Sequence, residues 1–253
     1  MWNTSAGLGP ETLYACSYKN WYVVSNQTNN AGAVKTYPNV HKDYNNVPIN
    51  SFNYLTSTYA ATTPHVGIYN VAYDIWINGI ATNGCTEVMI WTENYKQVPA
   101  GSKVDTITFN GLKYDVWKTS WSWTYIAFVS SVNVTSGTIN LLEIFSWIIS
   151  KGWISSNSTL NQICFGVEIV STDGKNATFY FTDFSINTFS SNIPKTPILI
   201  SAKTPSQFIK NEYCLPLGRS VNSSSLDHLK NKVIIWHYID NKGIHYLKKI
   251  IYK

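Results

Sequence analysis

Charge is scarce in this chain. Asp, Glu, Lys and Arg together make up 13% of its 253 residues, against the usual quarter. The net charge of +5 is also unevenly spread. Residues 1–189 hold 9 Lys+Arg against 11 Asp+Glu, whereas residues 190–253 hold 10 against 3. The basic residues of that tail are scattered through KTP, KNEY, KNK and LKK. They lack the clustering on a recognisable module that nucleic-acid binding requires, so no nucleic-acid partner is expected. No apolar run approaches the roughly 18–20 residues of a membrane span. The opening MWNTSAGLGPETLY has neither a basic n-region nor an apolar h-region, so any secretory signal is absent or already removed. Cys16, Cys85, Cys164 and Cys214 show no CxxC spacing, which argues against a zinc site. Their even number permits two disulfides in three pairings. The five His (41, 65, 228, 237, 245) lack metal-ligand spacing and no Gly-rich phosphate loop is present, so neither a metal nor a cofactor is expected.

Aromatic residues are abundant, at 15% with 10 Trp and 17 Tyr. Thr, Val, Ile, Tyr and Trp outnumber the helix formers, which favours strands. Apolar-periodic runs of four to eight residues recur from residue 10 to 189, among them NWYVVSN, NVAYDIWI, TEVMIWT, TYIAFVSS and QICFGVEIV. Clusters such as NNAG, TNG, FNG and STDGK separate them, the signature of a sandwich or barrel. SGTINLLEIFSWIISKG is the exception. Ile139, Leu142, Phe145, Ile148 and Ile149 recur at helical spacing between a Ser/Thr start and Gly152, and predict one packed helix near 138–150. After residue 190 the Pro- and Ser-rich SSNIPKTPILISAKTPSQF reads as a linker. KVIIWHYIDNKGIHYLKKIIYK then reads as a separate β-hairpin turning at DNKG. The expected division is therefore a domain at 1–189 and a basic appendage of unknown role at 190–253.

Alternation of side chains assigns each strand residue to a face. In TEVMIWTE, Val88, Ile90 and Thr92 share one face, and Glu87, Met89, Trp91 and Glu93 the other. In VAYDIWI, Val71, Tyr73, Ile75 and Ile77 oppose Ala72, Asp74 and Trp76. In ICFGVEIV, Ile163, Phe165, Val167 and Ile169 oppose Cys164, Gly166, Glu168 and Val170. Three strands thus repeat one design: an aliphatic core face, and behind it a lone acid among aromatics, sulfur or glycine. An unpaired buried carboxylate is costly, so these acids have work in a cleft or lie on a solvated sheet. Two carboxylates in an aromatic groove suit glycoside hydrolysis, where one attacks or activates water and the other protonates the leaving oxygen. Aromatic faces stack on sugar rings. By parity alone a hydrolase and a sugar-binding sandwich remain equally open.

TEVMIW, with AYD upstream and FGVE about eighty residues downstream, resembles glycoside hydrolase family 12, whose members carry E-x-M-I-W and F-G-x-E strands. Asn20–Trp21, VKTYPNV at 34–40, VAYD at 71–74, YIAFVSS at 125–131 and the single helix fall in the family's order, across roughly residues 10–189. The resemblance implies an all-β, concanavalin-like jelly-roll sandwich of two curved antiparallel sheets with one packed α-helix. It implies a retaining endo-β-1,4-glucanase. A polysaccharide is too bulky to enter a cell, so an extracellular site of action is expected, and a monomer. Xyloglucan is an alternative substrate, and a non-catalytic glucan-binding sandwich an alternative function. Glu87 would be the nucleophile, Glu168 the acid/base, and Asp74 a neighbour sharing a hydrogen bond or proton with Glu87. Retention needs carboxyl groups roughly 5–5.5 Å apart, and proximity should raise the pKa of one of them. Met89 would pack beneath the sugar at the cleavage point. Asn20 and Trp21, with Trp91 and Trp123, would contact the polymer. Glu93 reads as a subsite or surface residue further along the Glu87 face. Many members follow the acid/base with Pro-Phe, where this chain has Ile169–Val170.

Overall fold

The computed structural model describes side chains for residues 8–28 and 33–189, and backbone alone for several further strands. The N-terminal strands are β1 (Trp2–Asn3), β2 (Glu11–Ser17), β3 (Asn20–Ser25), β4 (Thr36–Tyr37), β5 (Asn39–Pro48) and β6 (Phe52–Thr62). They are followed by β7 (Ile68–Ile77), β8 (Thr86–Tyr95), β9 (Ser102–Phe109), β10 (Leu112–Ser120), β11 (Thr124–Ser130) and β12 (Ser136–Asn140). The helix α1 (Leu141–Ser150) leads into β13 (Thr159–Ser171) and β14 (Ala177–Ser190). The tail holds β15 (Glu212–Cys214), β16 (Ser220–Val221), β17 (Val233–Ile239) and β18 (His245–Ile251).

One sheet runs β1-β4-β13-β7-β8-β11-β10-β9, with β5 also on β13. A second runs β12-β6-β14-β3-β2. The tail strands form a third, β16-β15-β17-β18, and the expected hairpin is its β17/β18 pair, with Ile239 opposite His245. Its DNKG turn and the expected linker lie outside the described residues. By compactness the chain divides into Met1–Tyr14 with Tyr22–Ile193, and Ala15–Trp21 with Pro194–Lys253.

The face assigned to the core is the core. Val71, Tyr73, Ile75 and Ile77, Val88 and Ile90, and Ile163, Phe165, Val167 and Ile169 are all buried. Aromatic contacts join the two larger sheets through this layer. Tyr59 of β6 meets Tyr73 of β7 edge-on at 5.8 Å, and Phe165 of β13 stacks on Phe184 of β14 at 6.0 Å. Burying each such ring stabilises the fold by about 1.5–3 kcal/mol.

Two expectations are corrected. The sheets are not wholly antiparallel, because β8 pairs parallel to β11, placing Glu87 opposite Tyr125. The helix begins at Leu141, and Ile139 belongs to β12 instead. Asn140 caps the helix, its side chain accepting from the Glu143 N–H at 3.3 Å. The buried helical face is therefore Leu141, Ile144, Phe145 and Ile148, and Trp147 packs edge-on against Phe128 at 5.5 Å.

Gly166 has a steric reason. The chain between β4 and β5 breaks at Pro38, whose carbonyl accepts from the Val167 N–H at 3.2 Å. A Cβ at position 166 would overlap that carbonyl oxygen and the Asn39 backbone. Gly166→Ala is expected to cost about 1–3 kcal/mol, read as a lowered Tm. Because Glu168 lies two residues on, activity should fall with it.

Candidate active site

The face behind the core carries a second, smaller apolar cluster of Ala72, Met89, Trp91, Tyr125 and Ala127, packed by Ala100, Trp117 and Val129. The Tyr125 hydroxyl donates to Met89 Sδ at 3.3 Å. This cluster floors a cavity of about 390 Å³, lined among others by Glu87, Glu168, Met89, Trp91 and Trp121.

Register explains how two distant acids reach one cavity. Glu87 stands opposite Trp76 of β7, whereas Glu168 stands opposite Asn70, with Ala72 and Asp74 between them along β7. A flat sheet would hold the two rows far apart. Irregularities fall between Val71 and Ala72 on β7 and between Ile169 and Ser171 on β13. Such bulges bend strands, and these sit beside Asn70 and Glu168. Both acids line the one cavity together with Met89 and Trp91.

Each acid is held differently. Trp123 Nε1 donates to Glu87 Oε2 at 2.7 Å. Burial raises Glu87 above the ordinary carboxylate range, and the Trp123 hydrogen bond opposes that rise. Asn70 Nδ2 donates to Glu168 Oε2 at 2.7 Å. Burial first, then the charge of Glu87, pushes Glu168 up to about 7 despite that bond. Asp74 lies opposite Met89, diagonal to Glu87 across the β7/β8 pair and within side-chain reach. Trp76 Nε1 donates to Asp74 Oδ2 at 3.1 Å. Asp74 Oδ1 is buried and has no partner among the described residues. Burial, then the charges of Glu87 and Glu168, raise Asp74 well above its usual range.

The other expected contacts divide. Met89 and Trp91 are floor residues, each 2% exposed. Trp123 braces Glu87, and its ring meets Trp76 edge-on at 6.0 Å. Trp21 is buried and alternates along β3 with the half-buried Asn20 and Tyr22. Sequence reading missed two residues. Trp121, 56% exposed, lines the cavity and is held against Trp123 and Tyr125. Its signal was the WSW repeat, which places residues 121 and 123 alike. Asn70, the partner of Glu168, could be given a face by parity, but its register could not be read.

Glu93 is a correction. The β7/β8 irregularity pairs Glu93 with Val71, so the acid turns to the core face. It is 1% exposed. Its Oε1 accepts from the hydroxyls of Thr63 at 2.6 Å and Tyr69 at 2.8 Å, with His65 Nε2 at 3.2 Å. Glu93 is a structural anchor away from the cleft, and a one-residue slip in pairing is what reverses a face. Cys85 and Cys164 are reduced.

A model of glycosyl hydrolase family 12 matches residues 1–193. The chain belongs to glycosyl hydrolase family 12. Endoglucanase S of Pectobacterium parmentieri is 22% identical over 187 residues, covering 69% of this chain. The chain spans 66% of that protein's length. Among solved family 12 structures, the xyloglucanase domain of NopAA from Sinorhizobium fredii, in complex with cellobiose, is 27% identical. Its TM-score is 0.62, and the match covers 74% of this chain and 92% of that one. The family 12 xyloglucanase of Bacillus licheniformis is 23% identical with a TM-score of 0.62, covering 71% and 86%. Both support the jelly-roll architecture for this member of family 12.

Proposed function

We propose that the protein is a retaining endo-β-1,4-glucanase that cleaves internal bonds of a β-1,4-glucan outside the cell by double displacement. One observation carries the reading: two carboxyl groups, those of Glu87 and Glu168, line one cavity and are both raised by burial. Glu168, raised to about 7, is largely protonated at mildly acidic pH. Its proton sits on Oε1, because Oε2 accepts from Asn70. Glu87 is held by the Trp123 indole as an acceptor. Glu168 gives its proton to the leaving glycosidic oxygen as Glu87 Oε1 attacks the anomeric carbon. The resulting glycosyl ester is hydrolysed by water that Glu168, now a carboxylate, deprotonates. Asp74, diagonal to Glu87 across the β7/β8 pair, steadies the nucleophile between turnovers. The apolar floor under the sugar and the exposed Trp121 ring supply stacking surface. Membership of family 12 and the endoglucanase relative support this reading.

Xyloglucan is a second substrate to weigh, because the 27% identical Sinorhizobium fredii domain is described as a xyloglucanase. The test follows viscosity and reducing ends together on carboxymethyl cellulose and xyloglucan, with proton NMR of the first-formed anomer. A rapid viscosity drop with few new ends, and β-anomer appearing first, is the expected result. First-formed α-anomer would sink the retaining mechanism. Binding without cleavage would leave a glucan-binding sandwich.

A further inference from the structure

The wall that carries Glu87 continues past it. The register runs Tyr125–Glu87–Trp76–Gln162–Asp43 across β11, β8, β7, β13 and β5. His41, opposite Cys164, occupies the neighbouring row. At the far end of this wall three polar groups are already arranged. Gln162 Nε2 donates to Asp43 Oδ1 at 2.7 Å, and His41 Nε2 lies 3.9 Å from Asp43 Oδ2. Cys164 Sγ donates to Gln162 Oε1 at 3.1 Å, which fixes the amide with its nitrogen toward Asp43. Cys164 is buried and stands opposite Asp74. Burial and the charges of Asp74 and Asp43 keep its thiol protonated, hence a donor. Asp43 itself is about half exposed, its side chain at 51%. The cluster is therefore anchored from beneath and open above.

We propose that Asp43, oriented by Gln162 and flanked by His41, is a hydrogen-bonding subsite for a sugar residue distant from the cleavage point, on the β5 side of Glu87. β8 and β5 are three strand spacings apart, roughly 14 Å. A β-1,4-linked glucose advances by about one strand spacing, so a chain lying along the wall brings its second or third residue over Asp43. A carboxylate accepts from two adjacent hydroxyls, which suits a glucose edge. With Trp121 near Tyr125 at the other end, the cleft has a stacking end and a hydrogen-bonding end.

This proposal rests on the glucanase reading, and its test separates the two. Parent and Asp43→Ala are assayed on cello-oligosaccharides from trimer to hexamer. Cellohexaose binding is measured by calorimetry in the inactive Glu87→Gln background, with and without Asp43→Ala. On the hexamer kcat/KM should fall about tenfold, carried by KM, and the deficit should shrink as the substrate shortens. Gln162→Ala should give a smaller loss of the same length dependence. An equal loss at every length, or none at any, overturns the subsite. Were the parent to cleave nothing while Asp43→Ala still weakened cellohexaose binding, the subsite would stand and the glucanase reading would fall. Absence of any cellohexaose binding would overturn both.

Discussion

Glu87→Gln is expected to abolish glucan hydrolysis, lowering kcat by about 10,000-fold, while the protein still folds and binds polymer. The amide keeps an oxygen for the Trp123 indole, which now donates at 2.7 Å, so the wall keeps its shape. What it loses is the ability to form an ester. Azide distinguishes this role from that of Glu168. In Glu87→Ala, azide takes the vacated space and gives the α-glycosyl azide in one displacement. In Glu168→Ala, an aryl glycoside with a good leaving group still forms the glycosyl ester, which azide opens to the β-product. Identical products from the two variants, or wild-type activity in Glu87→Gln, would remove the assignment.

As the proposed acid/base, Glu168 should govern the alkaline limb and also leave a mark on stability. Its carboxyl is raised from 4.5 to about 7, first by burial, then by the Glu87 charge. Activity should therefore rise as Glu87 ionises and fall as pH passes through about 7. In Glu168→Gln, kcat drops about 100- to 10,000-fold on substrates that need leaving-group protonation. The linkage sign is fixed by which state holds the proton. Between the unfolded pKa and about 7, folded Glu168 keeps a proton that the unfolded chain releases, so stability declines as pH rises. The whole decline amounts to about 3 kcal/mol. Glu168→Gln escapes it: the variant should match the parent near pH 4 and exceed it by up to about 3 kcal/mol at pH 8. Denaturant melts at the two pH values measure this, and parallel stability of both proteins would count against a buried acid.

The catalytic strands were legible because their design is periodic. Val88 and Ile90 versus Glu87 and Met89, or Ile163 and Val167 versus Cys164 and Glu168, separate by parity alone; the first set is core, and Glu87, Met89 and Glu168 of the second line the cavity. Parity fails where the period is interrupted. The β7/β8 irregularity between Val71 and Ala72 sends Glu93 to the core, and nothing in TEVMIWTENY marks the slip. Register is equally silent in one strand taken alone, so Asn70 could be given a face but not a partner. The helix start was misread because Ile139 fits a helical period and is buried in β12 just as well. Pro38 and Gly166 lie far apart in sequence, and their fit becomes visible only once β13 is laid against β4 and β5.

The parallel pairing of β8 with β11 also has a kinetic consequence. β7 and β8 are neighbours in sequence and pair antiparallel, so one edge of β8, the strand that carries Glu87, can be matched early. Its other edge waits until β9 and β10 have formed and the chain has returned through β11, a non-local closure with its own entropic delay. Until then an apolar strand offers unpaired amides to any passing chain, the condition under which edge strands aggregate. Refolding yield should therefore depend on concentration, and slowing the docking of the β9–β11 segment should lower yield more than it lowers the stability of the finished enzyme.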